Sequence, residues 1–481
     1  MKATRIIPAS IGLIVTLILV AALISMSGVP ATATSVEGTL VSTPVDTAPV
    51  LDGIADEAAW AAAYATNATV SGGWYGTGTV SMKSVYKDGT VYFLYQYSDP
   101  ENSNRRGPWQ KQPDGSWLKI AATQWPAPVC PPGDASCEQY WSMKDPNGAY
   151  EDKFAVLWNI NTPGFETAGC GITCHWGIDR ANGKYGRKYT NAPGELVDMW
   201  HFKSVRTGPV GQTDDQYIDN ATTGKDWGRH GDPNLGGGYS DNLDSNGDGK
   251  PDYTSPTQPA PPYYLLKSEE TAMVDTYAAG DEVAAIRIAA LTGDRSNLPT
   301  GSNYDETTNT WTLEIARPLV TMGNDGVTPS TKDVQFTDLD SEYLFGVAVF
   351  DNAQVEHSMS GLYKLTFAEC DSPSLGLSKS GVYWASYADY TARLLSVDLG
   401  IGNSGAGAAT SAQIEGAINT NGVTVVSSMP MALGGIAAGS SVAATVKYDV
   451  PAGVSSFKTT IYATATDACG NAYSYPGPMP S

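Results

Sequence analysis

Two thiols followed at once by an imidazole stand at Cys170-Gly171-Ile172-Thr173-Cys174-His175. That combination suits covalent haem attachment: each thiol adds to one haem vinyl group, and the adjacent His reaches the iron as an axial ligand. The usual spacing places two residues between the cysteines, whereas Gly171, Ile172 and Thr173 stand here. The loop must therefore bulge by one residue for both sulfurs to reach the vinyls. The competing reading is a small disulfide loop beside a surface His, since exported cysteines pair. Zinc is a poorer match, because Cys-x3-Cys-His offers at most three ligands and no second Cys or His pair lies nearby.

A second constellation is Asp244-Ser245-Asn246-Gly247-Asp248-Gly249-Lys250-Pro251-Asp252. Asp244, Asn246 and Asp248 alternate and Gly249 follows the third, as at the start of a calcium loop; Asp252 adds a carboxylate. Close-set carboxylates need a cation to offset their repulsion. Ser255 occupies the twelfth position in place of Glu and no incoming helix is evident, so the competing reading is a solvated Asp-Gly turn. No other carboxylate pair has a recognisable catalytic context, and no Ser-His-Asp set can be inferred from scattered residues.

Several features describe the chain that must position these residues. Lys2 and Arg5, the apolar run Ile11 to Ile24 and Ala31-Thr32-Ala33 predict a signal peptide over residues 1–33. The run is short for a membrane span, so membrane attachment is expected only through an uncleaved N-terminal anchor. The net charge of −21 becomes more negative once Lys2 and Arg5 are removed, a surface that repels nucleic acid and anionic lipid. The expected location is extracytoplasmic, either secreted, periplasmic or cell-surface.

Of the six cysteines, Cys130 and Cys137 flank a Pro-Pro-Gly turn and read as a stapled loop. Cys370 and Cys469 would then tie a C-terminal domain to its neighbour, leaving Cys170 and Cys174 for haem. Residues 34–48, rich in Thr, Val, Ser and Pro, read as a linker. Strand signals follow at Val80 to Tyr86 and Thr90 to Tyr97 around a Lys87-Asp88-Gly89 turn, then at Lys153 to Ile160, Glu282 to Ala289, Thr310 to Ala316 and Tyr343 to Phe350. The stretches 98–150 and 161–265 show little periodicity. The expectation is all-β: an antiparallel β-sandwich with long functional loops over 49–370, then an immunoglobulin-like sandwich over 371–481.

Residues 50 to 370 resemble the haem-binding domain of the small subunits of ethylbenzene dehydrogenase and related dimethyl-sulfoxide-reductase-type enzymes, shared by a group of exported c-type cytochromes. The resemblance rests on Glu151-Asp152-Lys153-Phe154-Ala155-Val156-Leu157-Trp158, the Cys-x3-Cys-His segment, Val197-Asp198-Met199-Trp200-His201-Phe202-Lys203-Ser204-Val205-Arg206-Thr207-Gly208-Pro209-Val210-Gly211, Glu314-Ile315-Ala316-Arg317-Pro318-Leu319 and Phe350-Asp351-Asn352-Ala353-Gln354. It implies a β-sandwich that holds one haem between loops and passes electrons. In the enzyme subunits that haem is non-covalent, held by a Met and a Lys. Sliding the Lys segment onto Asp351 to Leu365 puts His357 in its place, so the chain looks like the c-type branch, with His175 and His357 as the axial pair.

The chain has four His, which keeps the choice of ligands narrow. His201, in Trp200-His201-Phe202, fits a haem pocket wall or an ordinary core and is the other candidate for the second ligand, with Met199 and Met359 behind it; His230 reads as a loop residue. Two strong donors leave iron no open position, which makes the chain an electron carrier between redox partner proteins rather than an enzyme. Arg206 and Lys203 are expected to neutralise haem propionates, against the competing reading of a surface ion pair with Asp198 or Asp214. Two alternatives stand beside this reading. One is the haem b subunit of a molybdenum-type dehydrogenase or reductase. The other, suggested by the Leu51-Asp52-Gly53 opening and abundant aromatics, is a carbohydrate-binding module, which would be colourless.

Overall fold

The fold is seen in a computed structural model that describes residues 36–120, 149–174, 188–223, 227–354, 357–467 and 470–478. Strands dominate, and the chain is all-β as expected. Among the described residues thirteen strands make one sheet. In chain order they are β1 (Gly38–Pro44), β2 (Thr66–Gly72), β3 (Gly78–Lys87), β4 (Thr90–Ser98), β5 (Lys153–Asn159), β6 (Val197–Lys203), β7 (Asp214–Ile218), β8 (Arg229–Gly231), β9 (Thr300–Asp305), β10 (Thr310–Pro318), β11 (Tyr343–Phe350), β12 (Ser358–Ser360) and β13 (Tyr363–Phe367). The spatial order is β8-β7-β6-β5-β11-β12-β2-β3-β4-β10-β9, with β1 between β13 and β3 and with β13 also paired to β11. Two routes therefore join β11 to β3, one through β12 and β2, the other through β13 and β1. The sheet closes into a ring at its middle.

The β3–β4 hairpin forms as the sequence predicts, because Asp88 (φ 47°) and Gly89 (φ 78°) both take the left-handed conformation of a tight two-residue turn. Residues 38–44 depart from the linker expectation. They form β1, which runs parallel to both β13 and β3 and buries Leu40 and Ser42 completely. Thr, Val and Ser are common in linkers and favoured in strands alike, so composition could not separate the two.

The expected single strand over 282–289 is instead two short pieces, Glu282–Val283 and Ile286–Ile288, in small separate sheets. β6 and β7 lie inside the stretch read as aperiodic. Every residue of β6 is buried and β5 is buried from Lys153 to Trp158. A strand covered on both faces loses the alternation that marks a half-exposed one.

Residues 375–478 carry eight strands in two four-stranded sheets. Leu399, Ile401, Ile414, Val446 and Ile461 fill their shared core, which is distinct from that of the thirteen-stranded sheet. Cys370 is disulfide-bonded. Cys130, Cys137 and Cys469 lie outside the described residues, as does the expected signal segment.

Candidate functional site

Alternation along β5, β6 and β11 sorts their side chains into two layers. Phe154, Val156, Trp158, Trp200, Phe202 and Val347 face the central core. Ala155, Leu157, Val197, Met199, Ala348 and Phe350 face the opposite way, and Phe165, Cys170 and Leu362 pack over them. This second layer is apolar and small along β5 and β11, and the cover comes from the short helix Phe165–Ala168 and the 3-10 turn Gly169–Thr173.

The turn gives the two thiols different surroundings. Both Cys170 and Cys174 are free; Cys170 is buried and Cys174 half-buried. Thr173 donates from Oγ1 to the Cys170 carbonyl (3.1 Å), and the Cys174 N–H donates to the Gly171 carbonyl (3.0 Å). Burial pushes the Cys170 thiol up to about 12. Its Sγ comes so near β11 that a Cβ on Gly346 would stand 2.6 Å from it, so only glycine leaves room for this thiol. His175 lies outside the described residues.

His201 is in the same outer register of β6 and is 5 % exposed. Neither ring nitrogen has a hydrogen-bond partner among the described residues. Burial, and then Lys203, Lys153, Arg229 and Arg206, hold its pKa well below the usual range, so the ring is neutral at physiological pH. Leaving two buried polar atoms unpaired costs about 1–3 kcal/mol each, a cost that ligation of a metal removes. Phe350 lies against two imidazoles, its ring centroid 5.6 Å from that of His201 and 4.7 Å from that of His357. His357 is half-buried and directly precedes β12. Met199 is buried beside these residues, and Met359, opposite Ala348 on β12, packs at their edge. His230 is on β8, where Nε2 is 3.1 Å from Asp219 Oδ1.

The basic residues expected at propionates are already paired. Lys203 is buried against Asp214, and burial, partly offset by that carboxylate, lowers its pKa to about 7. Arg206 pairs with Glu151, which also accepts from Arg106 Nε (2.9 Å) and from the Val205 N–H (2.9 Å). These pairs are largely buried, not the surface contacts considered from sequence. Lys153, which the sequence reading did not single out, donates from Nζ to the Gln354 carbonyl (2.9 Å) and stands 4.0 Å above the Phe350 ring. Burial in the first place lowers its pKa. Its signal was the oddity of a Lys opening an apolar strand.

Asp244, Asn246, Asp248 and Asp252 occupy a largely exposed loop, most of whose carboxylate and amide oxygens bond to the loop itself, while Asp244 Oδ1 is buried with no partner among the described residues. Asp244 Oδ2 accepts from the Gly249 N–H (3.0 Å), Asn246 Oδ1 from the Asp248 N–H (3.1 Å) and Asp252 Oδ1 from the Ser245 N–H (2.9 Å). Asp248 also pairs with Lys250.

The fold and this site define an all-β protein that holds free thiols, a buried neutral imidazole and apolar side chains on the outer layer of its main sheet. A family model described as ethylbenzene dehydrogenase matches residues 54–360, which is more than half of the chain, and the protein belongs to that family. The family stands among oxidoreductases and is related to subunits of molybdenum dehydrogenases. Comparison with curated protein sequences gives no match.

Proposed function

We propose that the chain is an exported monohaem electron carrier that works between extracytoplasmic redox partners and is not itself a catalyst. The observation that carries this reading is His201: a neutral, buried imidazole with both nitrogens unpartnered in a layer that also contains a free buried thiol. The residues present fit haem. Cys170 and Cys174 would carry the thioethers, His175 would supply one axial nitrogen and His201 the other. His357 was the stronger expectation from the resemblance; what favours His201 is its deeper burial and its unpaired nitrogens.

Bound haem supplies a one-electron ferric/ferrous couple. The chain's own residues set the conditions for it. Burial and the surrounding cations keep His201 deprotonated, so a lone pair is available. Met199, Ala155, Ala348 and Phe350 exclude water, and Lys153, whose amine burial disfavours in its charged form, would take up a proton against an anionic substituent such as a propionate. The exposed 244–252 loop is kept as a calcium candidate on its spacing alone.

Family membership favours a second reading, a non-covalent haem subunit of a larger dehydrogenase. The reduced-minus-oxidised visible spectrum of protein from the native host, followed by acidified-acetone extraction, separates the cases. Haem bands that stay with the polypeptide support the covalent carrier. Extractable haem favours the enzyme-subunit reading, and a colourless protein overturns both in favour of a sugar-binding module.

A further inference from the structure

The inner layer beside the pocket contains a cluster that the electron-carrier reading does not use. Asp215, Asp232 and Asp333 are all buried, and one carboxylate oxygen from each lies within 4.8 Å of the others. Asp215 is on β7, Asp232 follows β8 with its N–H donating to the Asp215 carbonyl (3.1 Å), and Asp333 lies on the connection between β10 and β11. Among the described residues no N–H or hydroxyl donor reaches Asp215 Oδ2, either oxygen of Asp232 or Asp333 Oδ1.

A fourth carboxylate, outside that trio, converges on it. Asp198 on β6 is fully buried. Its register opposite Tyr217, two residues beyond Asp215, turns it to the same face of the sheet. Its Oδ2 accepts from the Val334 N–H (3.0 Å), next to Asp333, while its Oδ1 is buried and unpartnered.

Arg317 is the cation at this site, and it does not satisfy these oxygens. Its Nη2 is 3.6 Å from Asp198 and 3.7 Å from Asp333, beyond hydrogen-bond length, and its Nε and Nη1 are unpartnered. Trp200 and Phe336 hold the guanidinium, their ring centroids 5.4 Å and 5.1 Å from it.

We propose that Asp215, Asp232 and Asp333, with Asp198 beside them, bind one calcium ion. Donors that are all oxygen select a hard cation. Two oxygens on opposite sides of one Ca2+, each at about 2.3–2.6 Å, span roughly the separation seen here. Four ionised carboxylates and one guanidinium would leave a strongly negative buried site, which a divalent cation nearly neutralises. Asp198 and Asp215 sit on the same two strands as Met199, His201 and Asp214, so the ion would clamp β6 to β7 directly behind the pocket. The inference does not depend on haem.

The test uses the full-length protein and calcium alone. Calcium content is measured after gel filtration, and Tm is then followed in EGTA and through a Ca2+ titration. The expected result is one calcium per chain that resists gel filtration, or a Tm that rises by several degrees with Ca2+ and saturates. The double variant Asp232→Asn/Asp333→Asn should lose that response while melting no lower than wild type in EGTA, and Asp248→Asn in the 244–252 loop should keep it. If the double variant does not fold, terbium luminescence excited through tryptophan in the wild type, displaced by Ca2+, replaces it, since Trp200 is on the same strand as Asp198. Three outcomes would overturn the site: no bound calcium together with a calcium-independent Tm, a response that survives the double variant but is lost in Asp248→Asn, or terbium emission that Ca2+ does not displace.

Discussion

His201 and Asp214 stand directly opposite one another across β6 and β7, yet no hydrogen bond joins them. The carboxylate is already engaged by Lys203, Arg295, Gln216 and Tyr239. The usual arrangement, in which a carboxylate accepts from a histidine N–H, is therefore pre-empted by stronger, charge-assisted donors. The imidazole is left neutral and available.

If His201 is an axial ligand, His201→Ala should convert a low-spin spectrum to a high-spin or five-coordinate one in the haem-loaded protein. His357→Ala should leave the low-spin bands in place and shift them slightly through Phe350. A low-spin spectrum retained in His201→Ala and lost in His357→Ala would reverse the assignment.

The two thiols should behave differently in protein made without haem. Iodoacetamide reacts with thiolate, and burial keeps the Cys170 thiol protonated up to about pH 12. At pH 8.5, half-buried Cys174 should be alkylated in the folded protein and Cys170 only after denaturation. An unfolded thiol ionises near pH 9 and this one only near 12, so its stabilising contribution is complete below pH 9 and declines as pH rises above it. In haem-loaded protein neither thiol should react, and either Cys→Ala change should leave haem held by a single thioether.

Gly346→Ala should destabilise the haem-free protein by about 1–3 kcal/mol, since the new methyl must displace Cys170 Sγ. The double variant Gly346→Ala/Cys170→Ala should recover part of that loss. Denaturant titration of the four proteins reads the coupling directly; additive effects would mean the contact is not close.

Lys153→Met should lower the midpoint potential on the order of tens of mV, because a nearby positive charge disfavours the ferric form. Potentiometric titration checks this. Arg206→Ala should act mainly on stability, by about 3–5 kcal/mol, since it strips one of two guanidinium partners from buried Glu151.

Apolar runs were legible as strands even where both faces are covered, as in β5, β10 and β11, whereas a strand broken by polar residues on both faces was not. β3, β4, β10 and β11 show alternating or continuous apolar runs bounded by turns, and the structure places them within a residue or two of the sequence reading. β6 spells Val-Asp-Met-Trp-His-Phe-Lys, with polar and apolar residues on both faces. It looked aperiodic because each face serves a different site. The thiols and histidines of the pocket could be named from sequence, since they carry recognisable chemistry. The ion pairs that occupy Arg206 and Lys203, the exposure difference between Cys170 and Cys174, and the convergence of Asp198, Asp215, Asp232 and Asp333 all depend on contacts between segments far apart in the chain. No local pattern encodes those.

β1 has a consequence in time. Gly38 pairs with Tyr363 and Ser42 with both Phe367 and Ser84, so the first strand of the sheet cannot be paired on both edges before the last one has been made. Such long-range pairing makes folding slow. The ring closes only once Phe367 has been made, so a chain cut short before β13 would leave β1 without one of its two neighbours.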